Sequence, residues 1–362
     1  MLTLRATLAG VLLTVAHGCG APGGGGRATA ALRDDGCEDA AALAAWREAQ
    51  QLALPDEDAA ALPLLKKACA RCPDLVRAHC AYQDVARRLG GRAAADMAAS
   101  YAPGVGGASP VRDYLRARLA ETAYAQANEL QRILDEHPRF AWAHLSLARV
   151  NRGQGRLSES LGGFVLAARN DASLVEATLE RGQVLAELGR VKEAAVAYQA
   201  YLTSRPGDPA AAREYVALLL YQLGRAEAAL EWISKLEAGG DRSLELRMDR
   251  AAAYWRQGKH RAAAESYLSI LAAEPRAARA ALNVGLLYYE VVPKDDVDRD
   301  RFWPGARAAF RMFLANTAAR DGHEQFEKTW AVPHRLQRIE RRIGAAPEEP
   351  PTLSALRWPA AR

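Results

Sequence analysis

The chain has 362 residues, half of them hydrophobic and only 7% aromatic, with a formal net charge of +5. That length accommodates one elongated array or two to three compact domains. The alanine-rich composition suits helices packed through small contacts, and so mild a positive charge does not by itself argue for nucleic acid.

At the N-terminus, Arg5 precedes an apolar run from Ala6 to Ala16, too short for an ordinary membrane span and followed by "AHGCG". Residues 1–18 are therefore expected to be a signal peptide. The segment looks like a bacterial lipoprotein signal, which implies cleavage behind Gly18 and lipidation of Cys19. Ala16 and His17 depart from the usual pattern, and a plain secretory signal or an uncleaved anchor are the alternatives. Each puts the rest of the chain outside the cytoplasm, in the periplasm of a bacterial cell envelope. Gly20 stands where inner-membrane lipoproteins carry aspartate, so the same resemblance implies a lipid anchor in the outer membrane. Residues 19–36 are glycine-rich and aperiodic, a flexible tether.

Residues 37–101 read as degenerate helical repeats, with Trp46, Leu52, Ala61, Leu65, Ala68 and Pro73 in one frame. They hold Cys37, Cys69, Cys72 and Cys80, an even number in an exported chain. Cys37 precedes the first helix, Cys69 and Cys72 end the second, and Cys80 lies early in the third; antiparallel helices bring those ends to one edge. The expected disulfides are Cys37–Cys72 and Cys69–Cys80. A four-thiolate zinc site is the sharper alternative, disfavoured in an oxidising compartment, and neither a metal nor a cofactor is expected. "APGVGGASP" at 102–110 is a loop, and residues 111–137, free of Gly and Pro, are one long helix or a shortened pair.

From 111 to 290 one pattern recurs. Gly155, Gly189, Gly224 and Gly258, each followed by Arg or Lys, fall 34, 35 and 34 residues apart. Small residues at Ala148, Gly182, Ala217, Ala251 and Gly285 are expected to let paired helices approach closely, as is the row Ala194, Ala229 and Ala263. Phe164, Tyr198, Ile233, Tyr267 and Phe310 are expected to fill the space between repeats. The glycines end first helices in a left-handed turn. A period near 34 with two helices per unit signals a helical repeat array.

With these positions in phase, the chain resembles the tetratricopeptide repeat (TPR) family, strongly over about 141–315 and weakly over 40–138. The resemblance implies an all-α TPR-like α-solenoid, a right-handed superhelix of antiparallel helix pairs whose first helices line a concave groove. Peptide-contacting positions carried over in phase are Trp142, Leu145, Arg149 and Arg152; then Glu176, Leu179, Gln183 and Glu187; then Glu214, Leu218, Tyr221 and Gln222. The series continues with Glu245, Met248, Trp255 and Arg256, and ends with Arg279, Leu282, Leu286, Tyr289 and Glu290. Aromatics interleaved with charges suit an extended or helical peptide. The basic-and-asparagine clamp of chaperone-binding TPR proteins is missing, with Leu145, Leu179 and Glu214 where its lysine would be.

Beyond the array, 291–304 is expected as a charged insertion; its Asp296, Asp298 and Asp300 lack the glycine and glutamate of a calcium loop. Residues 305–344 are capping helices, the last around 322–343 with Leu336, Ile339 and Ile343 on one side and Arg335, Arg338, Arg341 and Arg342 on the rest. A solvated cap is the ordinary reading of that helix, a basic membrane- or nucleic-acid-binding helix the alternative. Residues 345–362 read as a disordered tail. The seven histidines are scattered, and no nucleophile elbow, phosphate loop or metalloprotease motif occurs, so the chain is not expected to be an enzyme. What remains is a scaffold or adaptor that binds a protein in its groove, with no nucleic acid and no small-molecule substrate, and with the membrane reached only through the lipid anchor. An assembly component for secretion, pilus or outer-membrane machinery, engaged through its convex face or by self-association, is the alternative.

Overall fold

The computed structural model describes residues 37–52, 55–105, 109–317, 326–345 and 350–359; the signal peptide, Cys19 and the tether lie outside them. Described residues up to Ala212 form one compact unit and those from Arg213 a second. The N-terminal unit is a succession of helix pairs: α1 (Ala40–Gln51) with α2 (Asp58–Arg71), α3 (Val76–Leu89) with α4 (Gly91–Ser100), and α5 (Pro110–Ala117) with α6 (Ala123–Glu136). Two regular pairs follow, α7 (Ala141–Gly153) with α8 (Leu157–Asn170) and α9 (Val175–Glu187) with α10 (Val191–Ser204). Helix α11 (Pro209–Ala217) carries the boundary between units. The C-terminal unit continues with α12 (Ala226–Ala238), α13 (Leu244–Arg256), α14 (His260–Ala273), α15 (Ala278–Leu286), α16 (Asp296–Asn316) and α17 (Val332–Ile343). No strand occurs among the described residues. The fold is an all-α solenoid of antiparallel helix pairs.

The repeating glycines end first helices as expected. Gly155, Gly189, Gly224 and Gly258 lie at φ between 66 and 74°, the left-handed region that costs glycine little. After them the chain reaches back to a carbonyl five residues earlier, Arg156 to Asn151, Arg190 to Leu185 and Lys259 to Tyr254, which satisfies a helix-end acceptor. Arg225 instead reaches Leu219, six residues back. The reason is a π-helical turn, Leu218–Gln222, that continues α11. It absorbs the one extra residue in the 35-residue spacing, which also separates Pro206 from Gly224 by one more position than Pro138 from Gly155. Counting back seven residues from Gly224 therefore falls one residue short. Val216, fully buried, takes the close-packing position assigned to Ala217, which is only half-buried.

The expected fillers Phe164, Tyr198, Ile233, Tyr267 and Phe310 are all buried. Opposite them the small residues are tight. A Cβ on Gly285 would sit 2.5 Å from the Phe310 ring, and one on Gly182 would sit 3.3 Å from Ala197 and 3.4 Å from Tyr198. Gly285→Ala is expected to destabilise the C-terminal unit by about 1–3 kcal/mol through overpacking. Gly182→Ala should cost less, since its neighbours need yield only slightly; thermal melts of the two variants give the order.

Residues 111–137 are the shortened pair of the two readings, because Thr122 caps α6 with its hydroxyl accepting from the Ala125 N–H at 3.1 Å. Three boundaries differ from the sequence reading. The loop stops short of 110, since Ser109 caps α5 in the same way at 3.1 Å and Pro110 opens it. The charged insertion is helical from Asp296, capped by Asp295, whose carboxylate accepts from the Asp298 N–H at 2.9 Å. The tail is not wholly unstructured either. Leu356 is buried, Trp358 lies edge-on to Phe302 at 5.1 Å and to Tyr288 at 5.8 Å, and the Tyr288 hydroxyl donates to the Leu356 carbonyl at 3.0 Å.

At the N-terminal edge, Cys37 and Cys72 are joined, with Cα atoms 6.0 Å apart, clipping the start of α1 to the end of α2. The expected second pair is not formed: Cys69 and Cys80 are separate, buried thiols, each packed in the core of this unit. Burial pushes the Cys69 thiol up to about 12, so it is unreactive as a thiolate.

Candidate protein-binding face

In the N-terminal unit the expected groove residues are bonded to one another. Trp142 is 6% exposed and Leu145 is fully buried. The Arg149 guanidinium donates to both carboxylate oxygens of Glu180, at 2.8 and 3.0 Å from Nε. Arg152 donates to Glu187 from Nε at 3.0 Å and to Gln183 at 2.8 Å. Side chains expected to hold a partner instead tie α7 to α9. Sequence reasoning placed Arg149, Arg152, Gln183 and Glu187 on facing helices, but assigned complementary charges one repeat apart to a ligand.

A longer link was not anticipated. Arg77, at the second residue of α3, donates to Glu176 at 2.5 and 3.2 Å and to the Ser173 carbonyl at 3.2 Å. Its guanidinium lies 5.2 Å from the centre of the Trp142 ring. Trp142 and Glu176 are themselves the second residues of α7 and α9. Burial alone would raise the Glu176 carboxyl; the Arg77 hydrogen bonds and charge outweigh it and hold the group below its ordinary value. The signal was present in the sequence, since Arg77 stands four residues after Pro73 as Trp142 stands four after Pro138.

The C-terminal unit keeps part of the expected face open. Tyr221 and Gln222 lie in the π turn that continues α11, and both are exposed. The Tyr221 hydroxyl donates to Asp249 of α13 at 2.6 Å, and the Arg256 guanidinium lies 5.7 Å from the Tyr221 ring centre. Burial raises both the Tyr221 hydroxyl and the Asp249 carboxyl; Glu245 repels the latter further while the Tyr221 hydrogen bond opposes the rise. Glu245, Arg256 and Arg279 are exposed, and Trp255 is half-buried against the core. The same extra residue that displaces Ala217 displaces the carried-over positions in α11. Leu218 is buried, and Arg213 rather than Glu214 takes the place of Leu145; Arg213 bonds Asp241 at 2.7 Å.

At the far end of this face the expected residues are engaged by the later helices, although Glu290 stays exposed. Tyr289, in a second π turn (Leu287–Val291), stacks on Trp303 of α16 with centroids 5.3 Å apart. Glu290 accepts from Arg335 of α17 at 3.0 Å. Arg335 also bonds buried Glu327 at 2.5 Å, so it is not the solvated cation the sequence suggested. Among the described residues no three His, Cys, Asp or Glu side chains group as a metal site, and no helix is long and apolar enough to cross a membrane.

Paired antiparallel helices at a near-34-residue period, joined by left-handed glycines, define a helical-repeat protein. The tetratricopeptide repeat family model matches residues 166–209 and 248–290, so these two segments are tetratricopeptide repeats. No curated protein matches it. Among solved structures it is similar to YrrB, described as a TPR protein with an unusual peptide-binding site, at 16% identity over 54% of this chain and 95% of that one, with a TM-score of 0.43. MamA from Desulfovibrio magneticus matches at 18% identity over 50% of this chain and 97% of that one, with a TM-score of 0.43. A TPR protein from Parabacteroides merdae matches at 14% identity over 64% and 97%, also with a TM-score of 0.43. TPR proteins bind protein partners, and the fold is typically that of a non-catalytic scaffold.

Proposed function

We propose that the protein is a non-catalytic scaffold of the bacterial cell envelope that holds a partner peptide or helix on the first helices of its C-terminal unit. The observation that carries this is the cluster of Tyr221, Asp249 and Arg256. It links two first helices, leaves 47% of Tyr221 open, and is flanked by exposed Gln222 and Glu245. An aromatic anchor beside acceptors and a cation suits a mixed-charge segment. The π turn under Tyr221 supports the reading, since such turns frequently occur at functional sites. The envelope assignment rests on the lipoprotein-like sequence ending at Cys19 and on the Cys37–Cys72 bond, which fits an oxidising compartment.

The test is capture of partners from solubilised native envelopes by wild type, Tyr221→Ala and Arg256→Glu. Both substitutions fall on exposed side chains, so the folds are expected to match by circular dichroism. Loss of one shared partner from both variants supports the face, and an unchanged set of partners overturns it. Cys19→Ser should let high salt release the protein from the membrane fraction, where wild type is retained; release no greater than that of wild type counts against the anchor. One observation favours the assembly alternative. Second helices of the N-terminal unit expose Leu166 at 40% and Val196 at 64%, and a partner lost only on Val196→Glu would select that reading.

A further inference from the structure

We propose that the outward face of the last helix is a second, peripheral contact with anionic lipid headgroups. Phe326 and Trp330, one turn apart, are 56 and 61% exposed. Thr329, Pro333, His334, Gln337, Arg338 and Arg341 are also exposed, and recur at helical spacing as one continuous strip.

The helix sorts its arginines. Arg335 bonds Glu290 and Glu327, and Arg342 bonds Asp300 at 2.8 Å and Asp296 at 3.1 Å. Arg338 and Arg341 have no partner among the described residues. Of the two carboxylates of the segment, Glu327 is buried under Arg335, and Glu340 is half-buried at the edge of the strip, seven residues after Pro333. The strip therefore presents two aromatics at one end and two unpaired guanidinium groups at the other.

That order matches an anionic bilayer surface. Trp and Phe rings settle at the headgroup boundary, and arginines gain from the negative potential above it. A protein ligand that used aromatic anchors would need pockets around them, whereas a single helix face is convex and a lipid interface needs none. Duplex nucleic acid would use the cations and leave the aromatics idle. The contact stands apart from the Tyr221 face and from the Cys19 anchor, so each can fail without the others.

The experiment is sedimentation of the full chain carrying Cys19→Ser, which cannot be lipidated, with phosphatidylcholine vesicles with or without one-quarter phosphatidylglycerol. The expected result is binding at least about 10-fold tighter to the anionic vesicles, weakening as salt rises. Phe326→Ala with Trp330→Ala, and separately Arg338→Glu with Arg341→Glu, should each reduce anionic-vesicle binding about 10-fold or more while circular dichroism and the Tyr221-dependent partner are retained. Two independent pairs on exposed positions guard against an unfolded variant. Equal binding to both vesicle types, equal binding by both variant pairs and wild type, or binding of duplex DNA without vesicles would each overturn the proposal.

Discussion

Arg77→Ala is expected to destabilise the N-terminal unit by about 3–5 kcal/mol, the usual cost of leaving one member of a buried ion pair without its partner. The side chains of Arg77 and Glu176 are only 13 and 24% exposed, and the guanidinium spans α3, α7 and α9 at once. Removing it leaves the Glu176 carboxylate and the Ser173 carbonyl facing a void beside Trp142. Arg77→Met combined with Glu176→Leu should recover most of the loss, because neither charge then remains to be desolvated. Urea unfolding followed by exchange protection in the N-terminal unit would measure both. A single-variant cost below about 1 kcal/mol would mean that the pair behaves as a solvated surface bridge. The sign with pH follows from the depressed Glu176 carboxyl. Its contribution is present above the ordinary value of 4.5 and is lost as pH falls through the lower folded value, so the difference between wild type and Arg77→Ala should shrink in acid.

The same pair explains why the sequence alone does not give the bonding in this half. Periodicity identifies which residues share a face, and Trp142, Arg149, Arg152, Glu176, Gln183 and Glu187 do share one. It does not tell whether complementary charges on that face meet a ligand or each other. Where a neighbouring repeat supplies the opposite charge at hydrogen-bonding range, as Glu180 does for Arg149, the intramolecular bond forms without the entropy cost of association. The repeat glycines and the buried fillers were legible because left-handed turns and close packing constrain residue type. The π turn was legible only as a period of 35 in place of 34, and the direction of Tyr221 depends on it. The stacking of Tyr289 on Trp303 and the pairing of Glu290 with Arg335 were not legible, since Trp303 lies in the segment read as a charged insertion and α17 follows the last repeat.

The Cys37–Cys72 bond is expected to contribute about 2–4 kcal/mol, and its loss should be felt chiefly in the N-terminal unit. Its two cysteines are 35 residues apart, and closing a loop of that length restricts the unfolded chain by about 4 kcal/mol in the chain-entropy account. The native ends are already aligned. Asp39 caps α1 by accepting from the Ala42 N–H at 2.8 Å, and Arg71 at the end of α2 pairs with the same carboxylate at 2.8 Å, so the bond adds constraint where non-covalent contacts already hold the two helices together. Arg71 and the cap hold Asp39 down to about 2, so this second tie persists in mild acid. Reductant, or Cys37→Ala with Cys72→Ala, should therefore lower the melting temperature without abolishing helicity. Thiol labelling separates the four cysteines: Cys69 and Cys80 should resist alkylation in the native protein and label on denaturation without reductant, whereas Cys37 and Cys72 should label only after reduction. A melt indifferent to reductant would remove the stabilising role. Labelling of Cys69 and Cys80 only after reduction would show that those thiols also pair, and would add a covalent tie between α2 and α3, which the structure joins by packing and by the Arg88–Asp58 ion pair at 2.7 Å.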